Sequence, residues 1–323
     1  MEQTATDTGT WITGWDEALA RAEGHVLQGT AWGAVQEALG YPATFLSGTG
    51  WHGLGVIQRR PLFGYGYFPY GPVIDDGADI GTMARELQSW GRAEGLAFVR
   101  IEPFGCLPER LKGCTLLRKG RDIQPPYTWR LDLRPSEEVL RGALRTRLRG
   151  YINTAAKRGI TIRATTADED LETFVSLLEK TAENRFATHG TKYYRTVLRE
   201  LALRGAGQMR FAEHGGAPIA AILSFDSTTV RYYAHVAVDD AANRTLKASG
   251  PLAWEDILDA KRSGKLWYDF WGVLPEEVPG HPWNGFTAFK KSFGGELVAS
   301  AGSWEIPVSP VRHRVARGIA KVR

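Results

Sequence analysis

Long apolar runs are absent from this sequence, and cysteine is rare in it. No hydrophobic segment approaches the roughly 20 residues that a membrane-spanning helix requires. The first residues, MEQTATDTGTW, have neither the basic region nor the apolar region of a secretory signal peptide. The only two cysteines, Cys106 and Cys114, exclude a disulfide framework and form no metal-ligand spacing. We therefore expect a cytoplasmic protein that has no integral membrane segment and binds no metal.

Chain length and element patterns predict two domains of mixed structure. The 323 residues exceed the usual size of a single domain. The patterns predict short strands over 43–69, an amphipathic helix over 83–94 and a three-stranded meander over 208–238. Residues 121–133 join a Pro-Pro pair to an alternating strand, and we place the domain junction there. The expected fold class is α/β or α+β.

Acidic residues are missing from two stretches that are rich in Lys and Arg. Residues 139–162 contain six basic side chains and residues 312–323 contain five. The first stretch predicts one helix, which carries Arg141, Arg145 and Arg149 at intervals of four residues on one face. Such a concentration of charge favours a polyanionic partner, although a solvated helix face has the same pattern.

The stretch 267–296 has the features of an active-site segment. Its apolar strand is predicted to end near Asp269, and the prolines that follow predict an irregular loop. Phe289 and Phe293 then lie at helical spacing around Lys290, until two glycines end the helix. An ammonium fixed in a dry site stabilises a developing oxyanion by about 3 kcal/mol. Lys290 is therefore a candidate catalytic residue, and an amphipathic helix with solvated lysines is the alternative.

Phrases along most of the chain resemble the FemABX family of aminoacyl-tRNA-dependent transferases. They read QGTAWGAVQE (28–37), YFPYGPVIDD (67–76), GGAPIAAILSF (215–225) with RYYAHVA (231–237), LAWEDILDAKRSGKLWYDFWG (252–272) and GFTAFKKSFGGE (285–296). The resemblance is to the compact form of the family, because no long coiled-coil insertion lies between 160 and 250. It implies two tandem acetyltransferase-like domains of the GNAT type. Their expected bounds are 1–128 plus 303–323 for the acceptor side, and 129–302 for the aminoacyl-tRNA side.

The resemblance also implies an activity. Members of the family move an amino acid from its tRNA ester to an amine, usually on a peptidoglycan precursor. Aminoacyl-tRNA is then the co-substrate, and no further cofactor is expected. By similarity, Lys290 stabilises the tetrahedral oxyanion, and the Phe289 carbonyl accepts a hydrogen bond from the attacking amine. The cations expected to meet the tRNA phosphates are Arg141, Arg145, Arg149, Lys157 and Arg158.

Two residues of the first domain match family positions that line the acceptor cleft, namely Tyr70 and Asp75. A tyrosine at a strand end and an aspartate in a turn are the structural alternative for this pair. In the second domain, His235 and Asp269 are expected to face the acceptor. A core histidine is the alternative for His235, and a loop cap is the alternative for Asp269.

The chain departs from the peptidoglycan-type pattern at two acceptor positions. Family members tend to carry a lysine after the Trp motif, whereas this chain has Gln36 after Trp32. They often carry an arginine four residues before a tyrosine, whereas this chain has His189 before Tyr193. Both changes remove cations that hold a diphosphate. We therefore expect the acceptor to be a peptide-like natural product of antibiotic biosynthesis, with a peptidoglycan precursor as the alternative.

Two other functions stay open. An acyl-CoA-dependent N-acyltransferase of the GNAT type usually has a glycine-containing turn whose N–H groups hold the pyrophosphate. The nearest stretch, 244–250, has Lys247 where that glycine belongs, which counts against this function. A non-catalytic RNA-binding module is the third possibility, but the sequence contains no RNA-recognition signature.

Overall fold

The computed structural model describes residues 14–105, 107, 115–119, 121–182 and 188–321. Cys106 and Cys114 lie outside the described residues. The chain forms two compact units, of which the first comprises 1–126 and 299–323 and the second comprises 127–298. Each unit contains a seven-stranded sheet and flanking helices, so the predicted mixture of α and β structure is confirmed.

The elements are numbered here in chain order. The helices are α1 (Trp15–Arg21), α2 (Thr30–Ala38), α3 (Ile80–Ala93), α4 (Glu137–Ala143), α5 (Thr146–Thr154), α6 (Glu169–Ala182), α7 (Thr191–Ala202), α8 (Asp240–Leu246), α9 (Ser249–Arg262), α10 (Asn284–Lys291) and α11 (Pro310–Lys321). The strands are β1 (Ala43–Gly48), β2 (Trp51–Arg60), β3 (Phe63–Phe68), β4 (Val73–Ile74), β5 (Phe98–Ile101), β6 (Leu117–Arg118), β7 (Tyr127–Asp132), β8 (Ile160–Thr165), β9 (Gly207–His214), β10 (Ala217–Asp226), β11 (Val230–Val238), β12 (Trp267–Gly272), β13 (Glu296–Ala299) and β14 (Trp304–Pro307).

The sheet of the first unit has the strand order β1-β2-β3-β5-β14-β6, and β4 pairs with β2. Strands β3 and β5 are parallel, and α3 provides the crossover between them. The Asp79 carboxylate caps α3 by accepting the N–H of Gly81 at 2.9 Å. Met83 and Leu87 on the inner face of α3 are buried against the sheet. The other face of the same sheet packs against Ala316 of α11.

The sheet of the second unit has the order β13-β7-β12-β11-β10-β9-β8. The predicted meander forms its β9, β10 and β11 strands, which pair antiparallel. Strands β11 and β12 are parallel and are joined by α8 and α9. Trp254 and Ile257 of α9 are buried in the core beside Phe270 of β12. Both units thus place a parallel strand pair next to a crossover helix.

The prediction of one basic helix is wrong, because the segment forms two. Helix α4 ends before Leu144, and α5 begins after Arg145, and neither of these two residues has a helical conformation. Leu144 is buried in the core, and the Arg145 N–H donates to the Ser292 carbonyl at 2.9 Å. A hydrogen bond to a distant part of the chain therefore replaces the helical bond. Arg141, Arg145 and Arg149 do not share one continuous helix face.

Within the described ranges, no helix combines the length and the apolar character that are needed to cross a bilayer.

Candidate active site

Lys290 lies in the last turn of α10, the helix predicted for this segment. The loop before the helix is fixed to its first turns by side-chain hydrogen bonds. The Asn284 amide bonds both the N–H and the carbonyl of Val278, at 3.1 and 2.6 Å. The buried Thr287 hydroxyl accepts the N–H of Leu274 at 3.0 Å. Helix and loop therefore form one rigid piece.

Two glycines end α10 and bring the chain against β7. Gly294 and Gly295 have φ values of +85° and +99°, in the region that favours glycine. A Cβ on Gly295 would lie 2.3 Å from the carbonyl oxygen of Arg130, so no other residue fits without a shift of the backbone. The Trp129 indole donates to the Gly294 carbonyl at 2.6 Å, and the Phe293 ring is buried in the core. These contacts anchor the end of the helix that carries Lys290.

The Lys290 ammonium is held by the backbone and lies near a carboxylate. Its Nζ donates to the Gly272 carbonyl at 2.7 Å, at the end of β12. Burial lowers the pKa of Lys290 to about 8, and the charge of Asp269 opposes this shift. The side chain is therefore mostly protonated at neutral pH, but it loses its proton far more readily than an exposed lysine does.

Asp269 is buried, with 2% of its surface exposed. Burial raises the pKa of its carboxyl to about 6, although the Trp271 N–H and the charge of Arg130 favour the ionised form. The Trp271 N–H donates to Oδ1 at 2.6 Å. Between pH 6 and pH 8 the site therefore holds an ionised carboxylate and an ammonium, each with a pKa near neutrality.

A β-bulge at the end of β12 gives the site its shape. Asp269 pairs with Arg130 and Gly272 pairs with Thr128, so three steps along β12 face two steps along β7. Trp271 has a φ of +62°, a left-handed conformation that costs a non-glycine residue about 1 kcal/mol. The bulge turns the backbone so that Asp269 accepts the Trp271 N–H and Gly272 accepts from Lys290.

Next to the bulge, the parallel strands β11 and β12 separate from each other. Their register covers 230–232 of β11 and 267–269 of β12, although β11 continues to Val238. Strand β11 also bulges, because Leu223 pairs with His235 and Ser224 pairs with Tyr233. Beyond Asp269, the described residues of β12 form no further pairs with β11. The backbone that follows Asp269 is thus free of sheet pairing on the side of β11.

Three predicted acceptor residues of the second unit belong to one aromatic cluster. His189 is exposed and stacks on Tyr193 at 3.9 Å, and Tyr194 lies edge-on to both Tyr193 and His235. His235 is half-buried, and burial lowers its pKa to about 4, so its ring is neutral at physiological pH. The cluster continues through Phe225, whose ring contacts both His235 and Trp271. It therefore extends from His189 to the bulge beside Asp269.

Tyr70 of the first unit is buried and has three defined partners. It has a φ of +50°, and its hydroxyl donates to the Pro125 carbonyl at 2.8 Å. Its ring lies 4.3 Å from that of His25 and 5.2 Å from that of Phe104. Asp75 is exposed after β4, where its N–H donates to the Gly50 carbonyl. The structure thus shows Tyr70 within the fold of its own unit and Asp75 at the surface.

Trp32 and Gln36 are buried residues of α2, each with 8% of its surface exposed. A different glutamine contacts the chain beside Tyr70. The Gln28 amide donates to the Pro69 carbonyl at 2.9 Å and accepts the Leu54 N–H at 2.8 Å. Sequence reasoning missed Gln28, and the only local signal was its position at the start of the Trp motif.

The five predicted tRNA contacts divide into two groups. Arg141 bonds Glu137 at 3.2 Å, and Arg158 donates to the Leu246 carbonyl at 3.3 Å. Arg145, Arg149 and Lys157 form no ion pair with any described residue. The second group is therefore available for phosphates, whereas the first has protein partners.

The described part of the chain contains no cluster of His, Cys, Asp and Glu side chains that could hold a metal ion.

Comparison with known proteins identifies the fold. The profile of the acetyltransferase (GNAT) domain matches residues 142–290. The structure is similar to that of FemX, with a TM-score of 0.78 and 17% identity over 95% of this chain and 99% of that chain. It is also similar to L-PGS from Bacillus licheniformis, with a TM-score of 0.56 and 12% identity over 93% and 94% of the two chains.

A third similar structure is the C-terminal domain (DUF2156) of a protein from Agrobacterium fabrum. Its TM-score is 0.57, and the identity is 12% over 95% of this chain and 96% of that chain. The chain matches no curated protein in sequence. The prediction of a mixed α/β chain with two tandem GNAT-like units is confirmed. The match to the GNAT acetyltransferase profile supports a transferase of acyl groups.

Proposed function

We propose that this protein is an enzyme of the FemABX type, which transfers an aminoacyl group from aminoacyl-tRNA to an amine. One observation carries the proposal. The Lys290 ammonium is fixed at 2.7 Å from the Gly272 carbonyl, on a helix anchored at both ends and next to the buried Asp269. A rigid cation of this kind suits a reaction in which negative charge develops on oxygen. The FemX-like fold over 95% of the chain supports the same reading.

The reaction needs orientation more than activation, because an aminoacyl-tRNA ester is already reactive. The acceptor nitrogen attacks the ester carbonyl, and a C–N bond forms as the carbonyl oxygen becomes an oxyanion beside Lys290. The C–O bond of the ester then breaks, and the ribose oxygen leaves with a proton. The nitrogen loses a proton in the same sequence, so the products are an amide and free tRNA.

Asp269 is the group that we assign to accept the proton of the amine. Its pKa of about 6 keeps it ionised at neutral pH and basic enough to take a proton. The Phe289 carbonyl, expected in contact with the amine, already accepts from the N–H and the hydroxyl of Ser292. Phe289 would have to release the Ser292 hydroxyl to bind the amine as predicted.

The substrates follow from the charges that the site offers. We assign the tRNA phosphates first to Arg145, Arg149 and Lys157. Arg141 and Arg158 are second choices, because they have protein partners. Gln36 and His189 offer no fixed cation for a diphosphate. This favours a peptide-like natural product as the amine acceptor, with a peptidoglycan precursor as the second choice. A cytoplasmic location, where charged tRNA is present, agrees with the proposal.

An acyl-CoA-dependent N-acyltransferase is the second candidate, and the GNAT profile over residues 142–290 favours it. The turn between α8 and α9 argues against it. Lys247 occupies this turn with a φ of +57°, and the Ser249 N–H is bonded to the Asn243 side chain at 3.0 Å. A Cβ on Gly250 would lie 2.7 Å from Leu148, so the start of α9 packs against α5. The Ser249 N–H is therefore already bonded within the protein and is not free to hold a pyrophosphate.

The two candidates are separated by their donors. Purified protein is incubated with a mixture of charged tRNAs and a panel of amine acceptors, and amide products are measured by mass spectrometry. We expect products that disappear when the RNA is digested beforehand. Parallel reactions with acetyl-CoA are expected to yield none. Transfer that survives ribonuclease, or that uses acetyl-CoA instead, would overturn the proposal.

A further inference from the structure

The first unit contains a cavity of about 390 Å³ that plays no part in the proposed reaction. Its walls come from the β2–β3 turn, the strands β3, β5 and β14, the chain after β6, and α11. All of its lining residues belong to the first unit. The volume is within the range of about 300 to 1,000 Å³ that small-molecule sites occupy.

The lining of this cavity is strongly positive. It includes Arg60, Arg100, Lys119 and Arg317, and its one carboxylate is Glu305. Glu305 is paired with two cations, Arg100 at 2.5 Å and Lys119 at 3.5 Å, and its second oxygen lies 2.8 Å from Nε2 of His313. Arg60 and Arg317 are exposed, and neither forms an ion pair with a described residue. The cavity therefore attracts anions, despite the carboxylate in its wall.

Aromatic rings form one wall of the cavity, beside these cations. Tyr65 and Phe98 stack with ring centroids 5.0 Å apart and planes 7° apart, and Phe63 lies 6.2 Å from Phe98. The Arg100 guanidinium is 5.3 Å from the centroids of both Tyr65 and Phe98. Its Nε is buried, and no described residue provides it with a hydrogen-bond partner. An aromatic, apolar wall thus adjoins a fixed cation.

We propose that this cavity binds a small organic phosphate that carries an aromatic ring. The ring packs along Phe63, Tyr65 and Phe98, and the phosphate is held by Arg60, Lys119 and Arg317. Cations from three separate elements suit a group with two negative charges better than a single carboxylate. The proposal goes beyond aminoacyl transfer and depends on no residue of the second unit.

The test is a set of three separate titrations of the full-length protein, with adenosine monophosphate, with adenosine and with inorganic phosphate. Each is measured by isothermal titration calorimetry at low salt. We expect the nucleotide to bind at least about tenfold more tightly than either of its parts, because only it uses both the rings and the cations. Added salt is expected to weaken its binding. Phe63→Ala is expected to weaken binding of the nucleotide and to leave binding of inorganic phosphate unchanged.

Neighbouring arginines provide matched controls. Arg60→Ala and Arg317→Ala are each expected to weaken nucleotide binding by about threefold to tenfold. Arg59→Ala and Arg314→Ala remove the same charge from exposed positions outside the lining and are expected to change it little. Nucleotide binding no tighter than that of phosphate, or equal losses in all four variants, would overturn the proposal. The variants change no residue of the proposed aminoacyl-transfer site. Failure of nucleotide binding would therefore leave the proposed reaction standing, and failure of that reaction would leave this proposal standing.

Discussion

The parallel strand pairs of the two units end in different ways. In the first unit, β3 stays paired with every residue of β5, from Phe98 to Ile101. In the second unit, β11 and β12 pair at three positions and then part at the bulge. A buried acid lies at the end of each pair. Glu102 directly follows the last paired residue of β5, and Asp269 is the last paired residue of β12. The comparison therefore concerns two similar sites with different surroundings.

The partners of the two acids explain the difference. Glu102 accepts the Tyr67 hydroxyl at 2.5 Å and the Ile123 N–H at 2.8 Å, and it also bonds the Ser303 hydroxyl. Burial, together with the nearby Glu102 charge, raises the pKa of Tyr67 well above its ordinary value, so this donor keeps its proton. Asp269 has a backbone donor in Trp271 and the charge of Lys290 nearby. A carboxylate satisfied by neutral donors is structural, whereas one beside a titratable cation is suited to chemistry.

The largest effect is expected from Lys290→Met. Loss of the cation that stabilises the oxyanion should lower kcat for aminoacyl transfer by about 10²- to 10³-fold, with little change in KM for charged tRNA. Steady-state rates at saturating acceptor measure this. Lys291→Met is the control, because Lys291 bonds the Pro275 carbonyl and lies over the Trp129 ring. An unchanged kcat in Lys290→Met removes this residue from the mechanism.

The next effect is expected from Asp269→Asn. Loss of the proton acceptor should lower kcat by about 10²-fold. Its carboxyl pKa is raised from 3.8 to about 6 in the fold, so ionisation of Asp269 lowers stability as pH rises between these two values, and the loss stays constant above them. The free energy of unfolding at pH 7 should therefore not fall in the variant, as urea denaturation can show. A large loss of stability with an unchanged kcat would make Asp269 a structural residue like Glu102.

The opposite result is expected from Glu102→Gln. The amide cannot accept all the hydrogen bonds that the buried carboxylate accepts, so the free energy of unfolding should fall by about 2 to 4 kcal/mol. The transfer rate per folded molecule should stay the same. Urea denaturation and active-site-normalised rates measure the two quantities. If Glu102→Gln lowered kcat as much as Asp269→Asn does, the distinction between a structural acid in the first unit and a catalytic acid in the second would be wrong.

The pH dependence of kcat sharpens the comparison further. Asp269 acts ionised, so the rate should rise as pH increases through about 6. Lys290 acts protonated, so the rate should fall as pH increases through about 8. Asp269→Asn should lose the acid limb of this profile. A rate that keeps rising above pH 8 would mean that Lys290 acts without its proton.

The smallest effect is expected from the basic segment. Arg149→Ala or Lys157→Ala should weaken binding of charged tRNA by about threefold to tenfold. Either change should also lower, by about one, the slope of log Kd against the logarithm of the salt concentration. The slope comes from Kd measured at several salt concentrations. Arg199→Ala is the control, since this exposed arginine of the same unit is paired with Glu200. Equal losses in the control would show that only total charge matters.

Sequence reasoning succeeded where a feature depends on neighbouring residues. The spacing of Phe289 and Phe293 and the two glycines predicted α10, and alternation with turn residues predicted the meander. It failed where distant parts of the chain meet. The break at Arg145 depends on Ser292, and the bulge at Trp271 depends on pairing with β7. No local pattern predicts either contact.

The partners of the buried acids were equally hidden from the sequence. Ser303, which bonds Glu102, lies 201 residues further along the chain. The pKa values of Asp269 and Lys290 result from burial, which only the folded unit produces. The residue types at the candidate site were therefore predictable, whereas their electrostatic state was not.

The hydrogen bond from the Arg145 N–H to the Ser292 carbonyl joins the basic stretch 139–162 to the end of α10 through backbone atoms alone. The backbone at Arg145 is therefore joined to the residue that follows Lys291, and substitution of the side chains at either end leaves this bond in place. One such bond contributes only about 1 kcal/mol to stability, so this connection is weak by itself. Under the proposed function, this bond is the connection through which binding of a polyanion at 145–149 would affect the position of the Lys290 ammonium.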